Sequence, residues 1–501
     1  MRRRLMHFLE DNLFRCCILL RHIIPLCWVS PLGRFCGFVF YTLLGSWRNR
    51  SIAQLQTVFP DKSPRELRRL LREVTCNGGK VVLEQLMAGE KIIQSYFEEV
   101  QGFEEADRTL QEMLGRGRGV ILVGTHMNNW EALLGMGAHH LATQHGHELN
   151  VLVNRMPTPY LDKVITDIRR RVLRCNLIYT KQALYHVEKV FNRKGAVVFG
   201  LDVDAGHHGI FVPFMNRPIS MTPAPAFYAL KNKAPIGFFV MYQDRDGSLR
   251  VQLEEVRYEP TGNTREDAHR LTAKLASRIE YWVRQYPEQW FGWIQKTWKT
   301  RPLEELSAQL AKQPARVDLL NEVGAFYLGR KKVSKAQDTF QKVLETDPNC
   351  HLAHLELGGL FSQKEKVEEA LYHLFRALET HPKDQRTWKY LGIFFLKRGL
   401  YPTALQYFNR ALRMKYDDPE SCLGKGQCLE RLGKLKEAIR AYTKGLRINY
   451  DYGPLHLAMA KIYAARPDCK EHLEKHLLAM RKLHVVPDKE LLDISVHEVR
   501  K

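Results

Sequence analysis

A histidine and a glutamate five residues apart stand where an apolar run ends and a helical pattern begins. In GVILVGTHMNNWEALLG, His126 follows a Gly-Thr turn and Glu131 lies at the start of the predicted helix. Residues five apart on an ideal helix are separated by about 140°, so they share no face. With His126 in the turn, the imidazole can fold back so that Glu131 holds one ring nitrogen and the other accepts a hydroxyl proton. This predicts a general base for hydroxyl attack on a carbonyl; the alternative is a surface histidine near a helix N-terminus.

Apolar runs rich in Val, Ile and Phe must build the frame that holds this histidine. They lie at 119–126, 149–155, 195–204 and 235–242, with a possible extra strand at 211–214. Helical stretches separate the first three runs. The alternation predicts an α/β domain around a mostly parallel sheet, and such sheets bind ligands at the carboxyl ends of their strands.

Three further motifs follow in order along the chain. They are VNR at 153–155, GLDVDAGHHGIFVPFMNRP at 200–218 and PEQWFGWIQKTWKTRP at 287–302. Together with the His-x4-Glu pattern they resemble the bacterial lipid A late acyltransferases, which are membrane-bound lauroyl and myristoyl transferases related to lysophospholipid acyltransferases. The resemblance covers about residues 15–302. It implies an α/β acyltransferase domain with amphipathic membrane-anchoring helices at its N-terminus.

The resemblance also implies roles for individual residues. His126 is the general base and Glu131 its partner, and Arg155 faces substrate phosphate or the acyl carrier. Asp202 and Asp204 match the family's paired aspartates near the active site. The family more often has Gln-Asp where this chain has Leu-Asp, so the role of the first aspartate stays open.

The implied reaction is direct acyl transfer. A hydroxyl of a lipid A precursor or related glycolipid attacks an acyl thioester carried by acyl carrier protein or coenzyme A, and no cofactor is needed. The chain has no Gly-x-Ser-x-Gly elbow, so we expect no covalent acyl-enzyme. Two alternatives remain: the same chemistry on a phospholipid or aminolipid, and an inactive scaffold that works through the C-terminal repeats.

An arginine-rich segment and a histidine-rich segment could each bind a further ligand. In IRRRVLR at 168–174, a helix would place Arg170 and Arg174 on one face, where they would bind lipid phosphate or an acidic carrier protein; a solvated basic face is the alternative. The segment HHLATQHGHE at 139–148 suggests zinc, but it lacks the His-Glu-x-x-His arrangement of zinc enzymes, so we predict no metal site.

The first fifty residues are basic and apolar. Eight arginines oppose only Glu10 and Asp11 within the first sixty residues, and Arg21, Pro25, Pro31 and Arg34 interrupt the apolar stretch. We expect short amphipathic helices lying in a membrane interface. The resemblance implies that this membrane is the bacterial inner membrane, at its cytoplasmic face. The alternative is a buried helical hairpin that caps the α/β domain. We predict that this α/β domain extends over 51–302.

The last two hundred residues repeat with a period of 34. Blocks begin at Val317, His351, Gln385 and Pro419, and a fifth begins at Gly453 and degenerates. Small residues recur at positions 8 and 20 and bulky ones at position 24, which resembles the tetratricopeptide repeat. We therefore predict an all-α solenoid over 317–484 that binds an unidentified protein, a linker at 303–316 and a tail at 485–501.

The charge of the chain suggests an anionic partner. The chain has 76 Lys and Arg against 55 Asp and Glu, which gives a net charge of +21. Residues 303–501 contribute +8 of this charge (34 basic, 26 acidic), and residues 1–302 contribute +13. Anionic lipid and an acidic carrier protein fit this balance. No basic–aromatic nucleic-acid module is present in the sequence, so we expect no nucleic-acid partner.

Overall fold

The computed structural model describes residues 24–87, 90–155, 159–180, 183–294, 298–466, 469–483 and 485. Residue contacts divide the chain into two compact units. The first comprises residues up to Thr180 and Val187–Arg301, and the second comprises Lys181–His186 and the residues from Pro302 onward.

A seven-stranded, mostly parallel sheet forms the core of the first unit, with the order β1-β9-β8-β2-β5-β3-β4. Its strands are β1 (Val100–Gln101), β2 (Val120–Gly124), β3 (Leu149–Val153), β4 (Asn176–Tyr179), β5 (Ala196–Gly200), β8 (Ile236–Gln243) and β9 (Leu249–Glu255). The strands β8, β2, β5, β3 and β4 run parallel, and β9 is antiparallel to β8. β2 and β5 are central, and their near-continuous burial explains their uninterrupted apolar sequences.

Helices cover the sheet and connect its strands. They are α1 (Leu26–Leu43), α2 (Gly45–Val58), α3 (Pro64–Met87), α4 (Glu90–Glu99), α5 (Phe103–Gly115), α6 (Trp130–Gln144), α7 (Pro159–Asp167), α8 (Ala183–Asn192), α9 (Ala224–Asn232) and α10 (Thr264–Gln285). A π-helical turn, Ile168–Val172, follows α7. The predicted alternation of strands and helices is confirmed.

The predicted extra strand at 211–214 belongs to a separate hairpin. β6 (Ile210–Phe214) pairs antiparallel with β7 (Arg217–Met221) outside the main sheet. Phe214 is buried and packs on Trp290 and Trp298, with ring centroids 5.7 and 6.0 Å apart. The hairpin therefore joins the aromatic core formed by the 287–302 segment.

The helix α1 packs closely on α3 through glycines. A Cβ atom at Gly33 would lie 2.6 Å from the Cα atom of Lys80, and one at Gly37 would collide with the backbone of Thr75. Several other side chains of α1 are exposed, including Trp28 and Phe35 at 64% and 61%. By length and composition α1 is long and apolar enough to cross a membrane, although so are many core helices and signal sequences.

Two predicted segment boundaries look different in the structure. Residues 1–23 of the predicted anchor lie outside the described residues, and α2 continues past residue 50 to Val58. The predicted linker at 303–316 is mostly helical, because LEELSAQLAK forms α11 (Leu303–Lys312). The apolar side of α11 packs Leu306 against Leu319 and Val323, so this helix extends the repeat array.

The second unit is an α-solenoid in the predicted register. Its helices are α12 (Val317–Gly329), α13 (Val333–Thr346), α14 (His351–Gln363), α15 (Val367–Thr380), α16 (Gln385–Lys397), α17 (Tyr401–Met414), α18 (Pro419–Arg431), α19 (Leu435–Ile448), α20 (Gly453–Ala464) and α21 (Lys470–Lys482). The first helix of each repeat begins at the residue that the 34-residue period indicates. The predicted fold class is confirmed.

Small residues allow the two helices of each repeat to approach closely. A Cβ atom at Gly324 would lie 2.7 Å from the ring of Phe340, and one at Gly392 would lie 2.9 Å from the ring of Phe408. Both aromatic rings are fully buried. The recurrence of a glycine at position 8 and a bulky residue at position 24 therefore has a direct steric cause. Of the predicted tail, residues 486–501 lie outside the described residues.

Candidate active site

His126 and Asp202 meet at the carboxyl end of the sheet. The neighbouring parallel strands β2 and β5 end in register, with Gly124 opposite Gly200. Each strand is followed two residues later by a side chain that can do chemistry, His126 after the first and Asp202 after the second. Because parallel strands bring their carboxyl ends to the same edge, the two side chains lie side by side.

Asp202 is buried, and four hydrogen-bond donors converge on it. His126 donates from Nδ1 to Oδ1 at 2.7 Å and from its backbone N–H to Oδ2 at 2.8 Å. Thr125 donates its hydroxyl and Trp290 its indole N–H to Oδ2, each at 2.7 Å. A buried carboxylate with this many donors is held in its ionised form.

Asp202 and His126 shift each other's pKa values. Burial by itself would raise the pKa of Asp202, but the charge of His126 and the hydrogen bonds lower the pKa to about 2. Burial by itself would lower the pKa of His126, but the charge of Asp202 and its hydrogen bond raise the pKa above the ordinary value. Asp202 therefore fixes the imidazole with Nδ1 as donor and stabilises the imidazolium, which leaves Nε2 for proton transfer.

Residues 289–291 pack against the turn that carries His126. Met127 forms an isolated bridge with Trp290, and Phe291 donates its backbone N–H to the carbonyl of His126 at 3.0 Å. Asn128 has a φ of 46° and donates its backbone N–H to the carbonyl of Gln289 at 3.0 Å. These backbone contacts explain why the motif at 126 and the motif at 287–302 belong together.

The imidazole keeps one accessible side. Its side chain is 24% exposed, and the ring of Trp130 meets it edge-on with centroids 4.9 Å apart. A Cβ atom at Gly200 would lie 3.1 Å from Cε1 of His126, so the absence of a side chain there leaves room beside the ring.

Glu131 does not hold the imidazole, contrary to the prediction. Its carboxylate lies at the first turn of α6 and accepts hydrogen bonds from Arg169, with Nε 3.1 and 3.0 Å from the two oxygens. Arg169 comes from the π-helical turn and was not among the predicted site residues. The pair is largely buried, with side-chain exposures of 8% and 18%. The guanidinium offers this carboxylate two donors and a permanent charge, while Nδ1 of the imidazole is engaged by Asp202.

A buried polar network anchors the start of α6. Asn129 accepts a hydrogen bond from the backbone N–H of Ala132 at 3.1 Å, as an N-cap residue does. Its side-chain amide donates to Glu84 at 2.9 Å, and Tyr96 donates its hydroxyl to the same carboxylate at 2.7 Å. An asparagine directly before the helical pattern, Asn129, is the sequence signal that would have predicted this cap.

Two predicted binding residues contact protein groups. Arg155 follows β3 and donates to Asp162 at 3.2 Å, and its guanidinium lies 4.2 Å from the ring centroid of Tyr179. Asp204 accepts hydrogen bonds from the backbone N–H and the hydroxyl of Thr300, both at 2.7 Å. Asp204 thus fastens the end of the 287–302 segment, while the substrate-binding roles of both residues remain predictions.

Arg170 and Arg174 are exposed but do not share a helical face. The helical turn ends at Val172, and Arg174 has a φ of 53°, which lies in the left-handed region. The chain must reverse here because β4 begins only two residues later, at Asn176. The binding role of these two arginines remains a prediction.

A scan against protein-family models gives two matches. The bacterial lipid A biosynthesis acyltransferase family matches residues 9–300, which is more than half of the chain. A tetratricopeptide repeat family matches 326–386, 373–419 and 391–454. A search of curated proteins finds no significant match.

Solved structures resemble the repeats. The structure of Pseudomonas aeruginosa pilF is 18% identical, with a TM-score of 0.34 over 38% of this chain and 86% of that chain. YrrB, described as a TPR protein with an unusual peptide-binding site, is 21% identical, with a TM-score of 0.29 over 39% and 98%. PilW, described as a type IV pilus biogenesis factor, is 18% identical, with a TM-score of 0.33 over 38% and 88%.

Proposed function

The chain belongs to the bacterial lipid A biosynthesis acyltransferase family, and from this membership we propose that it acylates a hydroxyl of a lipid A precursor or related glycolipid. The family establishes the acyltransferase class and confirms the resemblance stated above. The proposed donor is an acyl thioester on acyl carrier protein. The observation that carries the proposed mechanism is the His126–Asp202 pair at the carboxyl edge of the sheet, with one accessible side of the imidazole.

In the proposed reaction, Nε2 of His126 takes the proton of the acceptor hydroxyl as its oxygen attacks the thioester carbonyl. The C–O bond forms, the C–S bond breaks, and the imidazolium returns the proton to the leaving thiolate. Asp202 stabilises the imidazolium through the hydrogen bond to Nδ1. The positive end of the α6 dipole, which begins at Trp130, favours the negative charge that develops on the carbonyl oxygen.

The Glu131–Arg169 pair supports this geometry from beside the base. Glu131 contributes negative charge that favours the protonated form of His126, and Arg169 opposes it. Because the two charges are paired with each other, their net effect on the imidazole is smaller than that of Asp202. We assign this pair a positioning role for α6 and the π-helical turn.

We further propose that α1 places the active site at a membrane, at the cytoplasmic face of the bacterial inner membrane. One side of α1 packs on α3, while Trp28, Phe35 and Leu43 lie on its exposed surface, with Leu43 75% exposed. Aromatic and aliphatic side chains of this kind favour the boundary between headgroups and acyl chains. A lipid acceptor would reach His126 from such a surface.

The repeats support a proposal of a protein partner. A groove of about 890 Å³ in the repeats is lined by four basic residues against two acidic ones, and by tyrosines such as Tyr401 and Tyr452. The charged residues are Lys397, Arg398, Arg431, Lys461, Glu420 and Glu430. Mixed basic and aromatic linings suit peptide segments with acidic side chains. Acyl carrier protein is one acidic candidate, and an unidentified protein is the other.

Lipid analysis tests the proposed acceptor. A strain lacking this protein would be complemented with the wild-type chain or with His126→Ala, and its lipids analysed by mass spectrometry. We expect lipid A that lacks one secondary acyl chain in the deletion strain and in the His126→Ala strain, with restoration by wild type. Unchanged lipid A together with an altered phospholipid or aminolipid would move the proposal to that acceptor. Full restoration by His126→Ala would contradict the assigned base and favour the scaffold role.

A further inference from the structure

A second cluster of chemically active side chains lies at the far end of α6 from the active site. Asp107 comes from α5, His140 from α6, and His145 follows the end of α6. His140 is ten residues beyond Trp130, so it lies about 15 Å along the helix axis from the end next to His126. None of the three residues is used by the proposed reaction.

The ligand atoms of the cluster are close together. Nε2 of His140 lies 3.0 Å from Oδ2 of Asp107, and Nε2 of His145 lies 3.3 Å from Oδ1 of the same carboxylate. One ligand atom from each residue lies within 4.8 Å of the other two. Ligands about 2.0–2.2 Å from a tetrahedral Zn²⁺ are separated by about 3.3–3.6 Å, so small side-chain rotations suffice to coordinate the ion.

One nitrogen of the cluster lies against a carboxylate without a well-aligned hydrogen bond. Nε2 of His140 is buried, and despite its proximity to Asp107 no hydrogen bond with an acceptable angle joins it to any described residue. A buried polar atom of this kind needs a partner. A metal ion between His140 and Asp107 would provide one, because it bonds to the nitrogen lone pair and needs no N–H direction.

A fourth polar group borders the cluster. Gln111, one turn after Asp107 on α5, has its side-chain nitrogen 3.3 Å from Nε2 of His145 and donates to Oδ2 of Asp107 at 2.5 Å. Once a metal ion neutralises Asp107, rotation of the amide by half a turn presents its oxygen to the metal. Water is the alternative fourth ligand.

The histidine spacing alone predicts no metal site, but the structure adds Asp107 from α5, and we propose that Asp107, His140 and His145 bind one Zn²⁺ ion that fastens α5 to the end of α6. Two imidazoles and a carboxylate are ligands that zinc accepts, and three protein ligands plus water or an amide oxygen complete a tetrahedral shell. The ring of Phe103 packs edge-on against His140, with centroids 5.2 Å apart, and orients this ligand. By holding the far end of α6, the ion limits the motion of the helix whose first turn borders His126.

Zinc content and zinc affinity test the proposal on the full-length chain. The protein would be purified in detergent with an affinity tag that contains no histidine, stripped with a chelator, and titrated with Zn²⁺ against a competing chelator. His140→Gln, His145→Gln and Asp107→Asn would be compared with His139→Gln, because His139 is an exposed neighbour on the same helix outside the cluster. Thermal unfolding would be recorded for each variant with and without Zn²⁺.

We expect about one equivalent of zinc per chain in the wild type and in His139→Gln, and a rise in their melting temperature when zinc is added, since an ion that binds the folded state stabilises it. The three cluster variants should fold but lose this zinc and the rise in melting temperature. Co²⁺ in place of Zn²⁺ should give the intense visible absorption of tetrahedral coordination in the wild type and in the control His139→Gln, but not in the three cluster variants. A folded wild-type chain that binds no zinc would overturn the proposal, as would zinc binding that survives in all three cluster variants.

Discussion

Trp290 and His126 share one carboxylate oxygen. The indole Nε1 of Trp290 and the backbone N–H of His126 both donate to Oδ2 of Asp202, at 2.7 and 2.8 Å. Three segments far apart in the sequence thus meet at one buried group, and the orientation of the histidine depends on a tryptophan 164 positions later in the chain. Positioning the proposed base therefore requires the whole domain to be folded.

Removal of the indole donor should weaken the fold around Asp202. Trp290→Phe keeps a buried ring but leaves the carboxylate one hydrogen bond short, and a hydrogen bond to a charged group contributes about 1.5–3 kcal/mol. We expect a lower melting temperature and a higher pKa of Asp202, both measurable on the purified chain. Trp293→Phe is the matched control, since Trp293 donates at 2.8 Å to the neutral carbonyl of Pro287 and should cost less. An equal loss in both variants would argue against a special role for Trp290.

The Glu131–Arg169 pair should behave as a coupled unit. Glu131→Gln leaves a largely buried guanidinium without its carboxylate, which typically costs about 3–5 kcal/mol, and the double variant Glu131→Gln with Arg169→Gln should recover part of this loss. The free energies of unfolding of the two single variants and the double variant give the coupling energy. The same cycle with His126 in place of Arg169 is the comparison. A larger coupling energy between Glu131 and His126 would contradict the structure and support the predicted role of Glu131 in holding the imidazole.

A methyl group at Gly200 should disturb the base directly. The added Cβ would lie 3.1 Å from Cε1 of His126, so the ring must shift by a few tenths of an ångström. We expect Gly200→Ala to lower kcat by about tenfold, because small misplacements of a catalytic group are costly, with little change in melting temperature. Gly137→Ala on α6 is the control, since its Cβ would have only an ordinary contact at 3.8 Å. Wild-type turnover in Gly200→Ala would show that this side of the ring is not used.

Buried histidine pairs should make the repeats sensitive to acid. His354 and His373 face each other with their Nδ1 atoms 2.8 Å apart, and Nε2 of His354 lies 2.9 Å from the carbonyl oxygen of Pro348. Burial and the neighbouring His354 lower the pKa of His373 to about 4. A second pair, His456 and His476, repeats the arrangement, and burial together with His456 likewise lowers the pKa of His476 to about 4.

Because these folded-state pKa values lie below the unfolded value of about 6.5, the unfolded chain binds more protons at acidic pH. The contribution of these two pairs to the free energy of unfolding should be constant above about pH 6.5 and should fall as the pH drops toward about 4. The next repeat holds Trp388 and Tyr407 at the corresponding positions, so the double variant His354→Trp with His373→Tyr is a matched replacement. Hydrogen exchange should show α14 and α15 opening at acidic pH in the wild type and less in this variant. Equal exchange in both proteins would contradict the prediction.

The positions of the main strands and the register of the repeats were accessible from the sequence because each depends on local patterns. β2 and β5 are buried on both faces and read as apolar runs, and the 34-residue period of glycines located the helix pairs. β9 was not predicted, because its sequence LRVQLEE lies toward the edge of the sheet and is only partly buried. β4 was also missed, since it has only four residues after a sharp reversal.

At the site, sequence reasoning identified His126 and Asp202 but not their contact. Both follow apolar runs, and the in-register pairing of Gly124 with Gly200 is a property of the sheet that no local pattern specifies. The partner of Glu131 was missed for a similar reason. Arg169 reaches it only because a π-helical turn follows α7, and nothing in IRRRVLR distinguishes that turn from an ordinary helix.

The pH dependence of acyl transfer by the wild type and by Asp202→Asn tests the central claim most directly. His126 must be neutral to act as the base, and Asp202 raises its pKa, so the wild-type rate should fall as the pH drops through a pKa above about 6.5. Asp202→Asn should lower kcat/KM by about 10²–10⁴-fold and move this acidic limb to lower pH. Asp204→Asn, which loses contacts to Thr300 instead, should leave the limb in place. An unshifted acidic limb in Asp202→Asn, or a His126→Ala variant that transfers acyl chains at the wild-type rate, would contradict the account.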